Sequence, residues 1–174
     1  MKMKLRTAAP DAAQRLEERA VKTDRMRYTK NTTSSRLALL AIVFDIIYFI
    51  SLYRSDISYS YVGDYYYTIM IGASIICNLV YMLITFLCSE GVKNYNRSYS
   101  FALVALCALQ VGRIFILPMQ AHSDGAMGDS QFIRIVIYLS ASAACLLLSA
   151  VINYIKSRKL QLHSAQLDSQ RVRG

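Results

Sequence analysis

Two ionisable side chains lie deep inside apolar stretches, Asp45 within residues 37–53 and Arg113 within residues 100–119. At ~1.5 Å of helix rise per residue they sit roughly 12 Å beyond Leu37 and roughly 20 Å beyond Ser100. A charge at such depth in a bilayer costs about 2.5–3.5 kcal/mol on insertion scales, so it turns inward and finds a partner. Asp45 and Arg113 are each other's obvious partner. Gln110 lies one helical turn from Arg113, and Asn78 occupies the middle of another apolar stretch, so the four side chains can form one polar layer. Side chains lean toward the N-terminus of their helix, which brings Arg113 down toward Asp45 but tilts Asp45 away as well. The spacing therefore allows direct contact without enforcing it.

Such a layer admits two chemistries. In one, the ion pair and the amides satisfy each other and hold the helices together. In the other, Asp45 accepts a proton or a cation while Arg113 supplies the counter-charge or holds an anion. A permanent ion pair fixes both charges and disfavours titration, so the packing role comes first.

The elements that must position these residues are four apolar blocks, at residues 37–53, 65–88, 100–119 and 132–155. The shortest, of 17 residues, reaches roughly 26 Å as a helix and the longest, of 24, roughly 36 Å, against a hydrocarbon core of about 30 Å. Uninterrupted apolar runs exclude barrel strands, which alternate every second residue. The expected fold is an all-α membrane protein, an antiparallel four-transmembrane-helix bundle with a cytoplasmic N-terminal helix. Seventeen of the 20 Lys and Arg residues fall in residues 1–36, in the link after block two, or from Lys156 onward. The positive-inside rule puts those segments, and so both termini, in the cytoplasm of a multi-pass protein of the plasma or inner membrane. Ser74, Asn78, Tyr81 and Thr85 make one polar stripe in block two, and Tyr138, Ser142, Cys145, Ser149 and Asn153 another in block four. Both should face inward. Small residues at a four-residue spacing, Ala108 with Gly112 and Ser140 with Ala144, offer sites of close helix packing.

The chain divides into a basic N-terminal segment (1–35), the bundle (36–155) and a basic tail (156–174). In the first segment Pro10 can open a helix with Asp11 in its first turn, a thin apolar face of Ala12, Leu16 and Ala20, and an i,i+4 pair of Glu18 with Lys22. The run Asn31 to Ser35 breaks this helix and caps the next. The ten basic residues up to Arg36 attract anionic lipid headgroups, and the N-terminal helix could dock a protein partner. No cleavable leader is expected, because the first apolar run follows a long basic segment and lacks a small-residue cleavage site.

With 55% apolar residues, 2 Pro and 7 Gly, the 174-residue chain is neither disordered nor collagen-like. Its four cysteines, Cys77, Cys88, Cys107 and Cys145, all fall in apolar blocks without a CxxC pair and read as packing residues. The chain has thirteen tyrosines and no tryptophan, and nine of the tyrosines crowd the block ends, as interfacial rings do; Tyr53, Tyr59, Tyr61, Tyr65, Tyr66 and Tyr67 form the external group and Tyr95, Tyr99 and Tyr154 the internal one.

Catalytic signatures are missing from the sequence. His122 and His163 both lie outside the blocks, and the stretch holding His122, Asp124 and Asp129 reads as a turn and not a metal site. Glu17 and Glu18 lie outside every block and lack the histidines of a membrane protease. No cofactor is expected. Basic charge is explained by topology, so nucleic acid is not expected as a partner. The glycosylation triplets at Asn31 and Asn96 fall on the cytoplasmic side. The sequence thus points to a non-catalytic subunit or accessory component of a larger transporter or envelope complex, held by a membrane-protein partner. The alternative is a small homo-oligomeric transporter or channel working through Asp45 and Arg113.

Overall fold

The structure is a computed structural model and describes residues 21, 29–53, 65–123, 125 and 127–173. Four helices account for almost all of them: α1 (Thr32–Tyr53), α2 (Tyr65–Lys93), α3 (Ser98–Ser123) and α4 (Asp129–Arg173). Each contains a stretch long and apolar enough to cross a membrane. The helices form a ring in which α1 packs on α2 and α4, and α3 packs on the same two. Residues Asn31, Ser34 and Ala41 at the start of α1 meet Asn153, Ser149 and Ser142 of α4, so numbers rise along one helix as they fall along the other.

The polarity of this bundle is inverted relative to one built for water. Large apolar side chains such as Ile50, Ile76, Leu83, Leu109, Phe115, Ile137 and Leu148 cover the outside, each at least 53% exposed. Asp45, Asn78, Gln110, Ser142, Ser149 and Asn153 lie inside at no more than 1% exposure. Burial of apolar area cannot drive such helices together in lipid; close packing and interhelical hydrogen bonds must. Along α1 and α4 the packing uses small residues. Ser34 donates to the Ser149 carbonyl at 2.7 Å, and Ser149 returns a bond of 2.7 Å to the Ser34 carbonyl. Ser142 donates to the Ala41 carbonyl at 3.0 Å. Each bond needs one backbone to come within a serine's reach of the other, which suits the small buried residues Ala38 and Ala41 on the α1 side.

The helix ends follow local chemistry. α2 closes with Tyr95 in the left-handed region (φ 54°), its amide bonded to the Val92 carbonyl at 3.2 Å. Asn96 then caps α3 by accepting from the Ser98 amide at 3.1 Å. One turn before the end of α2, a Cβ on Gly91 would come within 2.5 Å of the Tyr99 ring, so only glycine lets that ring lie against the helix. Between α3 and α4, Gly125 takes φ +70° and bonds the His122 carbonyl at 3.1 Å, while the His122 ring stacks on Phe132 at 4.5 Å.

Several boundaries differ from the sequence expectation, among them that of α2, which ends at Lys93 and not at Cys88. α1 starts five residues before Leu37, because Thr32 to Arg36 are helical and not a breaker; Ser34 and Ser35 are buried there against neighbouring helices. α3 passes through Pro118 and runs on to Ser123. α4 does not stop near Ile155 but runs to Arg173, 45 residues and roughly 68 Å in all, so most of the 156–174 tail is helix. The proposed N-terminal face of Ala12, Leu16 and Ala20, with Pro10, Asp11, Glu18 and Lys22, lies outside the described residues, as do Tyr59 and Tyr61.

Candidate functional site

The polar layer sits between two apolar clusters that close the bundle above and below it. One contains Ala38, Ala41, Tyr81, Leu103, Leu106, Leu146 and Ala150; the other contains Tyr48, Leu52, Ala121, Met127, Ile135 and Leu139. In α1 the order is therefore Ala38 and Ala41, then Asp45, then Tyr48 and Leu52. The same order of apolar, polar and apolar holds along α3, where Leu103 and Leu106 precede Gln110 and Arg113 and Ala121 follows.

Asp45, Asn78, Gln110 and Arg113 come together in this layer. Arg113 Nη1 donates to Asp45 Oδ1 at 3.0 Å and to Gln110 Oε1 at 2.9 Å. Gln110 Nε2 donates to the same Asp45 oxygen at 2.9 Å, and Arg113 Nη2 donates to Asn78 Oδ1. Three helices are thus tied through one guanidinium. Its planar fork suits this task, since each nitrogen addresses a different acceptor and a lysine ammonium could not hold that geometry. The guanidinium also lies near the Tyr48 and Tyr81 rings, at 5.0 and 5.1 Å from their centroids. Such cation–π contacts contribute about 0.5–2 kcal/mol, more when water is excluded. Tyr81 is itself held by a bond of 3.3 Å from its hydroxyl to the Leu106 carbonyl.

The shared lean toward the helix N-termini, which carries Asp45 away as Arg113 approaches, is overcome by reach. Arg113 is long enough to span the turn separating it from Asp45, and Gln110 fills the step between them. Two polar atoms of the layer, Asp45 Oδ2 and Asn78 Nδ2, are buried without a hydrogen-bond partner. The layer therefore has one acceptor and one donor to spare, while the Arg113 side chain keeps 18% exposure.

Of the polar stripes, Asn78, Tyr81 and Thr85 of α2 and Ser142, Ser149 and Asn153 of α4 are buried, and Ser74, Tyr138 and Cys145 half-buried. The expected close-packing residues do not serve that purpose. Ala108, Ser140 and Ala144 are exposed on the outer face, and a Cβ on half-buried Gly112 would meet open space. The physical reason is angular. At about 100° per residue, Ser140 points roughly 160° away from Ser142, so the two cannot share a face. The α1–α4 seam instead uses Ser142 and Ser149, with Ala38 and Ala41 opposite, and buried Ala143 accepts from Cys107 of α3 through its carbonyl.

Tyr48 was not anticipated as a member of the site. Its signal was its position one turn after Asp45, on the same face. A second network, at the end where α1 begins, was also not anticipated. Asn31 Nδ2 donates to Asn153 Oδ1 at 3.1 Å, Asn153 Nδ2 donates to Ser100 Oγ at 2.8 Å and to the Asn96 carbonyl at 3.0 Å, and Lys156 Nζ donates to Asn31 Oδ1 at 3.1 Å. Beside it, Arg97 bonds the Tyr154 hydroxyl at 3.1 Å and stacks over that ring at 4.9 Å.

His122 approaches Asp129 at 3.9 Å, and its Nδ1 lies 3.3 Å from the Met127 carbonyl. Among the described residues no group of three His, Cys, Asp or Glu side chains could hold a metal ion. Cys88 is buried, Cys107 and Cys145 half-buried and Cys77 exposed, all as free thiols. In comparisons with known proteins, no family model, curated protein or solved structure matches this chain.

Proposed function

We propose that this protein is a non-catalytic multi-pass membrane protein that serves as a small subunit or accessory component of a larger transporter or envelope complex. The observation that carries the reading is the mutual satisfaction of Asp45 and Arg113, shared with Gln110 and Asn78 between two apolar clusters. Charges spent on each other in this way tie helices together and leave the apolar outer faces to lipid and partner helices.

On this reading the four spans form an antiparallel bundle in the plasma or inner membrane. Both termini, including a basic N-terminal helix, are cytoplasmic, because 17 of 20 basic residues belong to that side. Anionic headgroups meet Lys93, Arg97, Lys156 and Arg158 there. The test is purification of the tagged chain from native membranes in mild detergent, followed by native mass spectrometry. A larger membrane protein in stoichiometric amount is expected, and recovery of this chain alone counts against the subunit role. The double variant Asp45→Asn with Arg113→Gln should lose that partner.

A second reading, a homo-oligomeric transporter or channel, is favoured by one observation: the spare acceptor on Asp45 and spare donor on Asn78 within the layer. A proton or small polar substrate would use both. Four helices enclose little volume, so several copies would be needed. pH-dependent flux in proteoliposomes that is lost in Asp45→Asn supports this reading, and an absence of proton flux in a verified homo-oligomer counts against it.

A further inference from the structure

Two ties fix how α1 lies against α2. The Asn31 amide donates to the Lys93 carbonyl at 2.9 Å, and further in Asp45 and Asn78 accept from the two terminal nitrogens of Arg113. Numbers rise along α1 as they fall along α2, so Ser35 and Ser89, each four residues in from the first tie, share a level. They also share a seam. Ser34 bonds α4, and Ser35, about 100° further round α1, turns to the neighbour on its other side, α2. Ser89 lies one turn from Lys93 and roughly three turns from Asn78, on the α1 side of α2. Both hydroxyls are buried, at 1% and 0% exposure, and neither has a hydrogen-bond partner among the described residues. At the deep end of the seam Asp45 Oδ2 and Asn78 Nδ2 are in the same condition. Between the two levels Thr85, also buried, spends its proton on the Tyr81 carbonyl at 2.9 Å and keeps its lone pairs to accept. The α1–α4 seam differs, because Ser34, Ser142 and Ser149 all donate to backbone carbonyls there. A buried polar group without a bond forfeits its hydration, and the common remedy is an internal water bonded to about two to four such groups.

We infer that the α1–α2 seam is a water-binding path that enters at the Asn31–Lys93 end and reaches Asp45. Each level offers water the partners it needs: two hydroxyls that donate or accept at Ser35 and Ser89, an acceptor on Asp45 and a donor on Asn78 in the layer. The levels lie roughly 15 Å apart along α1, with the Thr85 hydroxyl between them. A neutral ligand suits the layer because Asp45 and Arg113 already cancel each other; a cation would meet the guanidinium and an anion the carboxylate. Beyond Asp45 the path stops, since Tyr48, Leu52, Ile135 and Leu139 pack together at no more than 2% exposure. Asp45 therefore exchanges protons with one end of the bundle only. The inference rests on the transporter reading in naming what reaches Asp45, but its test reads water and not flux, so either can fail alone.

X-ray radiolysis of the full chain in lipid nanodiscs, in heavy-oxygen water and with mass-spectrometric mapping, tests this. Bound water yields hydroxyl radicals that oxidise the side chains beside it, even where bulk solvent has no access. Tyr81, at 7% exposure between Thr85 and Arg113, and half-buried Met82 should take up the label. Ser35→Ala with Ser89→Ala removes the partners at the mouth, and the label should be lost from both residues. Ser142→Ala, on the satisfied seam, should leave it unchanged. An unlabelled Tyr81 in the unaltered chain would overturn the inference, as would undiminished labelling in the double variant or a loss in Ser142→Ala. Melting gives an independent reading. Deleting two orphaned hydroxyls from a dry seam would leave the melting temperature unchanged or raise it, which would overturn the inference, whereas a seam that binds water predicts a fall.

Discussion

Removing the positive charge from the polar layer should cost more than removing both charges together. Arg113→Gln leaves the Asp45 carboxylate at 0% exposure with Gln110 as its remaining donor, and it releases Asn78 and the two tyrosine rings. Breaking a buried pair from one side costs about 3–5 kcal/mol, mostly the penalty of the charge left behind. For a chain of this length, 3 kcal/mol corresponds to roughly 6–12 °C in melting temperature. Asp45→Asn alone strands the guanidinium, although its 18% exposure gives it some relief, so a smaller loss is expected. Asp45→Asn with Arg113→Gln strands neither charge and should recover about 1–3 kcal/mol relative to the sum of the single losses. The assay is the fraction surviving size-exclusion chromatography after heating in detergent, read for the four members of the cycle. Additive losses, with no recovery in the double variant, would refute the idea that the two side chains act as one unit.

The remaining predictions concern packing. Gly91→Ala, which at an ordinary exposed helix position would stabilise by about 1 kcal/mol, should instead lower the melting temperature because the new methyl meets the Tyr99 ring at 2.5 Å. Adding Tyr99→Leu should restore most of the loss. Ala143→Leu should abolish the folded bundle or cost about 1–3 kcal/mol, whereas Ala144→Leu, one residue on and outward, should leave stability unchanged in the same heating assay. Ser149→Ala removes a reciprocal bond across α1 and α4 and should cost about 0.6–1.7 kcal/mol, against none for Ser140→Ala. Asn153→Leu should destabilise more than either serine change, since it leaves Asn31 and Ser100 without their shared partner in the buried network.

Much of the fold was legible because membrane helices are written in long uniform runs and because polar side chains at helical spacing mark the inward face. Asn78, Tyr81 and Thr85 declared the inner side of α2, and Ser142, Ser149 and Asn153 that of α4. Asp45 and Arg113 announced their association by their cost in lipid alone. What the runs concealed was the seam. A pair such as Ser140 and Ala144 has the same spacing whether it faces lipid or a neighbour, and only the polar residues on the same helix decide between them. Helix ends were also hidden, because α1 and α4 extend past their apolar runs through residues whose polarity suits water but whose burial follows from neighbours far away in sequence. The Asn31, Asn153 and Lys156 network belongs to that class. Its members are separated by more than 120 residues from Asn31, and no local pattern connects them.

The separation of Asp45 and Arg113 along the chain also bears on how the protein is made. The two are 68 residues apart, so at ~5–20 residues per second the carboxylate leaves the ribosome roughly 3–14 s before its guanidinium exists. During that interval the first helix carries an uncompensated charge that disfavours its release into lipid by about 2.5–3.5 kcal/mol. Its retention beside the insertion machinery until the third helix arrives would then be a built-in timer for assembly. Chains that stop short of Arg113 would remain marked for removal by the bare carboxylate of their first span.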